Sequence, residues 1–103
     1  MVKENKKIFI HAVLFEILPG QVKKYHQDNL MWAHFARRAK GFISYQTARR
    51  LAYKNQYASV YRWKSKGHHN RFMHKYHDWL VARSKAKVKV LGYFNLKVVD
   101  VLG

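Results

Sequence analysis

The chain has 103 residues, of which 49% are apolar and 16% aromatic, so it can form one hydrophobic core and is too short for two. It contains no cysteine, which excludes disulfides, thiolate metal sites and a cysteine nucleophile and favours a cytoplasmic location. Its 21 lysines and arginines against five acidic residues give a net charge of +16. Because these residues are spread along the chain, they favour a solvated surface over a dedicated nucleic-acid site.

The N-terminal residues 1–7 are a basic segment that we expect to be flexible, and we expect residues 8–103 to form one domain. The apolar stretch after this segment is interrupted by His11 and Glu16 and has no small-residue cleavage signal, so a secretory leader is not predicted. No stretch approaches the roughly 18 consecutive apolar residues that a membrane span needs. We therefore expect no membrane partner.

The first half of the chain predicts a strand, a turn and a helix. Residues 8–17 alternate with apolar side chains on both sets, so both faces of this strand should be covered. Pro19 and Gly20 predict a turn, and residues 21–40 lack glycine and proline and predict a helix that stops at Gly41. Its predicted apolar stripe consists of Val22, His26, Leu30 and Ala33, widened by Tyr25, Trp32, Phe35 and Ala39.

The second half predicts a β-hairpin, a helix and a final strand. The hairpin joins residues 42–51 to residues 57–63 through a polar turn. The helix that follows has apolar side chains spaced three and four residues apart. These are Phe72, Met73, Tyr76, Trp79, Leu80 and the aliphatic stem of Arg83. Residues 88–101 are rich in β-branched side chains and are interrupted at Gly92, where we expect a bulge, a bend or a close backbone approach.

The predicted order, β-α-β-β-α-β, is that of an α+β, ferredoxin-like domain whose two helices cover one face of a four-stranded antiparallel sheet. The first, third and last strands nevertheless carry apolar residues on both sides, so the other face also needs a cover. A second copy packed sheet to sheet would supply it. Burying several hundred Å² contributes on the order of 10 kcal/mol, at about 25 cal/mol per Å², before association costs. We therefore expect a homodimer.

Two short motifs resemble a known family over most of the chain. The run Gly41-Phe42-Ile43-Ser44 stands upstream of Tyr61-Arg62-Trp63-Lys64-Ser65-Lys66, which leads into the second predicted helix. Together they resemble the antibiotic biosynthesis monooxygenase superfamily. The resemblance implies a dimeric α/β barrel made of two ferredoxin-like subunits. Because this superfamily contains several chemistries, the resemblance bears more directly on the fold than on the activity.

In the cofactor-independent, quinone-forming members of that superfamily, a tryptophan at the position of Trp63 lies in the ligand pocket. Their helper asparagine, four residues earlier, corresponds to Ser59, and a tyrosine six residues later corresponds to His69. Their second-strand histidine falls near Ala48. The resemblance implies oxidation of an electron-rich aromatic by molecular oxygen without a cofactor, with Trp63 stacking on the ring. The polar catalytic candidates are Ser59, His69 and Arg62. Trp63 is also explained as a large strand-end residue that packs against the second helix.

The haem-degrading members resemble this chain through the same Trp-Lys-Ser-Lys start of the second helix. Their first-strand asparagine, helix tryptophan and axial histidine correspond to positions near Val13, Phe72 and Ala82. None of these is the family's residue, which leaves His77 and His74 as the candidates for holding haem. A solvated helix surface is the other explanation for both histidines. Haem is thus the alternative to a protein without a cofactor.

Other chemistries are less favoured. His74 and His77 are spaced to share a helix face, but no third ligand completes a metal site, so no metal is predicted. The acidic residues are scattered, and no glycine-rich phosphate loop occurs. The aromatic third strand is typical of RNA-recognition modules, but their last-hairpin signature is missing, which disfavours nucleic acid. A non-catalytic dimer that binds a small aromatic or anionic ligand, or nucleic acid, is the third alternative, so whether the chain is an enzyme stays open.

Overall fold

A computed structural model describes residues 8–103, so the predicted flexible segment 1–7 lies outside the described residues. The elements are β1 (Phe9–Ile17), α1 (Val22–Arg37), β2 (Phe42–Arg49), β3 (Gln56–Trp63), α2 (Lys66–Arg83) and β4 (Val88–Lys97). The strands form one antiparallel sheet in the order β2-β3-β1-β4, which confirms the predicted ferredoxin-like α+β fold. Neither helix within residues 8–103 is long and apolar enough to cross a membrane.

Local chemistry explains where the two helices begin and end. Gly20 follows β1 with a φ of 78°, a conformation that favours glycine, and the chain then enters α1. α1 ends at Arg37, earlier than the predicted residue 40, because the next residues form a tight turn that leads to Gly41, whose φ is 84°. Ser65 is the N-cap residue of α2, and its side chain accepts a hydrogen bond from the backbone N–H of His68.

The core lies between the helices and one face of the sheet, which we call the inner face. Alternate residues of β1 and β3 point to this face and pack against α1 and α2. Trp63 is fully buried, with its ring centroid 5.2 Å from that of Phe72 on α2 and 5.7 Å from that of Phe42. The buried cluster consists of Phe9, Ala36, Tyr61, Trp63, Phe72 and Leu80.

The buried face of α1 matches only part of the predicted stripe. Tyr25 and Ala36 are buried, whereas Leu30 is 69% exposed. The helix is rotated so that Tyr25 reaches a serine on β3 and Trp32 reaches a serine at the end of α2, each through a side-chain hydrogen bond. The pattern within one helix does not record partners that are so distant in sequence. Periodicity therefore includes inward residues such as Tyr25 and Trp32 but also His26 and Leu30, which are exposed.

β4 ends at Lys97 instead of the predicted residue 101. Its neighbour in the sheet is β1, whose first residue, Phe9, pairs with Lys97, and one further backbone hydrogen bond joins the Val98 N–H to the Ile8 carbonyl oxygen at 3.0 Å. The pairing steps from Gly92 to Val90 between consecutive residues of β1, which leaves Leu91 as an extra residue. The bulge expected at Gly92 is therefore confirmed, one residue before it.

The other face of the sheet, the outer face, carries a continuous group of apolar side chains from β1, β3 and β4. Register joins them, since Ala12 pairs with both Val60 and Phe94. Phe94 is 50% exposed and Leu96 is 53% exposed. No described element covers this face. We call it the outer apolar patch, and its members are Ile10, Ala12, Leu14, Ala58, Val60, Phe94 and Leu96.

Gly41→Ala should destabilise the protein more than Gly20→Ala. Both glycines have a positive φ, which costs an L-residue roughly 1–2 kcal/mol. A Cβ at Gly41 would in addition overlap the His68 ring, whereas a Cβ at Gly20 meets nothing within 4 Å. Gly67→Ala is the control, because Gly67 lies in the first turn of α2 with room for a Cβ. Urea unfolding should rank the losses in that order, and equal losses at Gly41 and Gly20 would contradict the close contact.

Candidate functional site

A cavity of about 390 Å³ lies between the inner face of the sheet and the two helices. Its volume falls within the roughly 300–1,000 Å³ that is typical of small-molecule sites. The sheet side of the cavity is formed where β1 and β3 carry two small residues opposite each other, Val13 and Ser59. Most of its wall is aromatic or aliphatic, formed by Val13, Phe15, Trp32, Tyr61, Met73, Val81, Val88, Val90 and Tyr93. Such a wall suits an apolar or aromatic ligand.

Four polar side chains from α1, β2 and β3 form a hydrogen-bonded group in this wall, the tyrosine cluster of Tyr25, Asn29, Tyr45 and Ser59. The Tyr25 hydroxyl lies 2.8 Å from Ser59 Oγ. The Tyr45 hydroxyl donates to Asn29 Oδ1 at 2.7 Å and lies 3.3 Å from Ser59 Oγ. Burial raises the pKa of both tyrosines above the ordinary value, so both hydroxyls stay protonated at neutral pH. The cluster is therefore polar but uncharged.

His11 on β1 is the second polar feature of the wall. Its Nδ1 lies 2.7 Å from Asn95 Oδ1 on β4, and its ring centroid lies 4.4 Å from that of His69 and 6.4 Å from that of Tyr93. Burial lowers the pKa of His11 below its ordinary value and lowers the pKa of His69 to about 4. Both imidazoles are therefore neutral at pH 7.

The segment between α2 and β4 closes one side of the cavity, and α1 holds it in place. The Asp28 carboxylate accepts hydrogen bonds from the backbone N–H groups of Lys85 at 2.9 Å and Ala86 at 2.8 Å. The Trp32 indole N–H donates to Ser84 Oγ at 2.9 Å. These contacts fix the wall that α1 shares with the start of β4, so the cavity is bounded on this side by ordered backbone.

The strong positive charge of the chain is not directed into the cavity. None of the lysines or arginines among residues 8–103 lines it. Almost all of them are exposed, and Arg62 is half-buried on the outer face. The ionisable groups in the wall are instead Asp28, the histidines His11 and His77, and tyrosines. An anionic ligand would therefore be held by hydrogen bonds, since no ion pair is offered.

The structure brings one of the four catalytic candidates to the cavity. Ser59 lines it as part of the tyrosine cluster. His69 is buried behind the wall and Trp63 is fully buried in the core, and neither lines the cavity. Arg62 lies on the outer face, where its guanidinium donates to Gln46 Oε1 at 2.6 Å. The four residues therefore do not form one catalytic group.

The two haem candidates lie in different surroundings. His77 lines the cavity, and its Nδ1 lies 3.0 Å from Asp78 Oδ1, whereas His74 is exposed and lies outside the lining. Haem needs an imidazole ligand, and its two carboxylates favour cationic partners. The lining offers His77 but no lysine or arginine, so it does not fit haem. In the described part of the chain, no three His, Cys, Asp or Glu side chains are grouped to hold a metal ion.

The sequence analysis misses several residues of the site. They are the wall residues Tyr25, Asn29, Tyr45 and His11, together with Asn95, which is hydrogen-bonded to His11 but does not line the cavity. His11 does carry a signal, because it is the polar residue in the otherwise apolar inward set of β1. The tyrosine cluster carries none, because its members come from three separate elements and meet only in the folded chain.

Comparison with solved structures finds the same fold in other proteins. SnoaB, a cofactor-independent oxygenase from Streptomyces nogalater, gives a TM-score of 0.73 at 15% identity, covering 93% of this chain and 97% of that chain. A haem-degrading protein from Mycobacterium tuberculosis gives 0.67 at 18% identity, covering 93% and 99%. A Bordetella bronchiseptica protein assigned as an antibiotic biosynthesis monooxygenase gives 0.66 at 17% identity, covering 85% and 95%. The resemblance expected from the sequence is confirmed for the fold. No protein-family model and no curated protein matches the chain.

The protein should lose stability as the pH falls from about 6.5 to about 4, because His69 resists protonation in the folded state and not in the unfolded chain. The unfolded chain then binds the extra proton, so the free energy of unfolding falls with a slope of up to about 1.4 kcal/mol per pH unit. His69→Phe should remove this contribution to the slope, whereas His74→Gln, at an exposed position, should keep it. Urea unfolding at a series of pH values measures both, and an unchanged slope in His69→Phe would contradict the buried neutral imidazole.

Proposed function

We propose that the chain is a cytoplasmic monooxygenase that oxidises an electron-rich aromatic molecule with molecular oxygen and without a cofactor. The observation that carries the proposal is the cavity, whose wall is mostly aromatic and aliphatic and contains the uncharged tyrosine cluster. An aromatic ring packs against such a wall, and its hydroxyl or carbonyl oxygen finds hydrogen-bond partners in the cluster. The shared fold with SnoaB, described as a cofactor-independent oxygenase, supports the same chemistry here.

The proposed reaction converts a methylene carbon of a hydroxyanthrone-like phenol into a carbonyl. Loss of a proton from the substrate gives an electron-rich anion, which passes electrons to O₂ and forms a bond to one oxygen atom at that carbon. The other oxygen atom leaves as water with the two hydrogens of the methylene group. Since the substrate supplies every electron that O₂ accepts, atoms and electrons balance without flavin or metal.

The protein's part in this reaction is to position the substrate and stabilise its anion. In the proposal Ser59 is the catalytic contact, because it lines the cavity and its hydroxyl is held by Tyr25. Trp63 and His69 support the wall from behind. The Trp63 ring lies 6.4 Å from Tyr61 and nearly parallel to it, and His69 packs on His11. Tyr61 and His11 both line the cavity.

We also propose that two copies of the chain associate through the outer apolar patch. Residues at its centre pair directly across three strands, and Phe94 and Leu96 are half exposed there. Soluble monomers rarely leave a continuous apolar surface of this kind in water. In this arrangement Arg62, which lies on the outer face, is near the contact surface and not near the substrate.

Haem binding through His77 is the second candidate function, because His77 lines the cavity and a haem-degrading protein shares the fold. It ranks below oxygenation, since no lysine or arginine in the lining would meet the haem carboxylates. A dimer that binds a small aromatic ligand without reacting with it is the third candidate. The cavity suits an aromatic ligand with or without a reaction, so reactivity separates the first and third candidates, and added haemin tests the second.

The purified protein should consume O₂ when a hydroxyanthrone-like phenol is added with no cofactor, and the quinone should appear in equal amount. Ser59→Ala should lower kcat/KM about tenfold or more, because it removes a hydrogen-bonding group from the wall that faces the anion. His74→Gln is the control and should retain full activity, since His74 is exposed and outside the lining. An oxygen electrode and chromatography of the product measure these rates. Absence of oxygen uptake by the wild-type protein would contradict the oxygenase.

Haemin added to the same sample tests the second candidate function, haem binding through His77. We expect no one-to-one Soret band that depends on His77, because the lining does not fit haem. A stoichiometric band that His77→Ala abolishes would replace the oxygenase proposal with haem binding. Binding of the phenol with neither oxygen uptake nor a Soret band would leave the non-catalytic dimer.

Size-exclusion chromatography with light scattering should give the mass of two chains. Phe94→Glu should shift the protein to a monomer, because it places a charge in the centre of the contact surface, where it would lose its hydration. Lys75→Glu is the control: it also introduces a glutamate, but at an exposed position of α2, and should remain a dimer. A wild-type monomer, or a dimeric Phe94→Glu, would show that the outer apolar patch is not the interface.

A further inference from the structure

We infer that His11 is the base that takes the proton from the substrate, through its Nε2, and that Asn95 is a positioning residue that holds the imidazole in the tautomer this step needs. The inference rests on the proposed oxygenase function and adds the residue that starts its reaction. His11 is the buried histidine that lines the cavity, at 9% exposure. It lies on the inner face of β1, between Tyr61 of β3 and Asn95 of β4 in the sheet register.

The hydrogen bond to Asn95 defines which nitrogen is free. Asn95 Oδ1 can only accept, so the proton of the neutral imidazole lies on Nδ1, which donates to it at 2.7 Å. The lone pair is then on Nε2, which has no hydrogen-bond partner among residues 8–103. A neutral imidazole with one nitrogen held and the other free is arranged to accept a proton.

The groups around His11 keep it neutral before the reaction. His69 and His77 face it from α2, Tyr61 from β3 and Tyr93 from β4. None of these is a carboxylate that would stabilise the imidazolium. Burial has the largest effect on the pKa of His11 and lowers it. The hydrogen bond to Asn95 raises this pKa, but by less than burial lowers it, and the charge of His77 lowers it slightly further. The base form is therefore present over the whole neutral range.

The proton balance of the step is closed. One methylene C–H bond of the substrate breaks, its electron pair stays on the substrate, and the proton forms an N–H bond at His11 Nε2. The carbanion bonds to one oxygen atom of O₂, and the imidazolium returns its proton to the outer oxygen of the resulting peroxide, which restores neutral His11. The second C–H bond then breaks, its electron pair forms the C=O bond as the O–O bond breaks, and its proton leaves with the outer oxygen as water. Asn95 does not exchange a proton in either step.

Two variants and a matched control test the inference. His11→Gln should lower kcat for oxygen uptake about a hundredfold. It should also abolish the enzyme-dependent exchange of the substrate's methylene hydrogens for deuterium in the absence of O₂. Asn95→Asp should keep the base but move the acid limb of the kcat–pH profile to higher pH by about one unit or more, because a carboxylate at Nδ1–H favours the imidazolium. His74→Gln, an exposed histidine on α2, should behave as the wild type in each assay.

A readout independent of turnover is the imidazole nitrogen spectrum of the ¹⁵N-labelled protein. It should show the His11 proton on Nδ1, with Nε2 unprotonated, and this state should persist below pH 6.5. Circular dichroism checks that His11→Gln folds, and Asn95→Asp, at an exposed edge-strand position, provides the second variant if it does not. The opposite tautomer, or an unshifted acid limb in Asn95→Asp, would overturn the inference.

The outcomes separate the inference from the proposed function. Oxygen uptake that is unchanged in His11→Gln overturns the role of His11 and leaves the oxygenase intact. Deuterium exchange that requires His11, without oxygen uptake by the wild type, supports the base and overturns the oxygenase. Absence of both exchange and oxygen uptake in the wild type overturns the two together.

Discussion

The pairing of the two central strands, β1 and β3, determines where the interior is tightly packed and where it contains a cavity. At one end Phe9 pairs with Trp63, and these large rings pack against α2. Further along, Val13 pairs with Ser59, and both side chains are small. The Phe9–Trp63 pair determines the distance between α2 and the sheet. Because a helix is stiff, α2 cannot bend toward the sheet to fill the space over the smaller Val13–Ser59 pair. The cavity is the space that remains, so the core and the site have one origin.

The chain is strongly basic, yet none of the lysines and arginines among residues 8–103 lines the cavity. Almost all of them are exposed at the surface, where they raise the local concentration of anions. Inside, burial lowers the pKa of His11 and raises the pKa of Tyr25 and Tyr45, so the wall groups that face a ligand are mostly neutral. The proposed reaction adds a negative charge on the substrate, next to these neutral groups. The exterior can therefore attract an acidic substrate while the interior holds it through hydrogen bonds.

The sequence predicts the architecture well because each element carries its own local signal. Alternation predicts the strands, Gly20 and Gly41 mark the breaks, and Gly92 predicts the bulge. The buried face of α1 is predicted only in part, because Leu30 of the predicted stripe is exposed, and the composition of the cavity wall is not predicted. The Tyr25 hydroxyl is hydrogen-bonded to Ser59, a residue 34 positions away, and no periodicity within α1 predicts that partner. Trp63 corresponds by motif to a ligand-pocket residue, but its side chain is fully buried in the hydrophobic core.

The bulge at Leu91 acts as a phase shift in β4. Val90 faces inward before it, and Tyr93 and Asn95 face inward after it. The same strand of 10 residues without the bulge would continue to alternate from Val90, which would turn Phe94 toward the cavity and Asn95 toward the outer face. The amide beside His11 and the ring at the centre of the outer apolar patch would then change places. Backbone geometry at the single residue Leu91 thus determines which side chains of β4 face the cavity and which belong to the outer apolar patch.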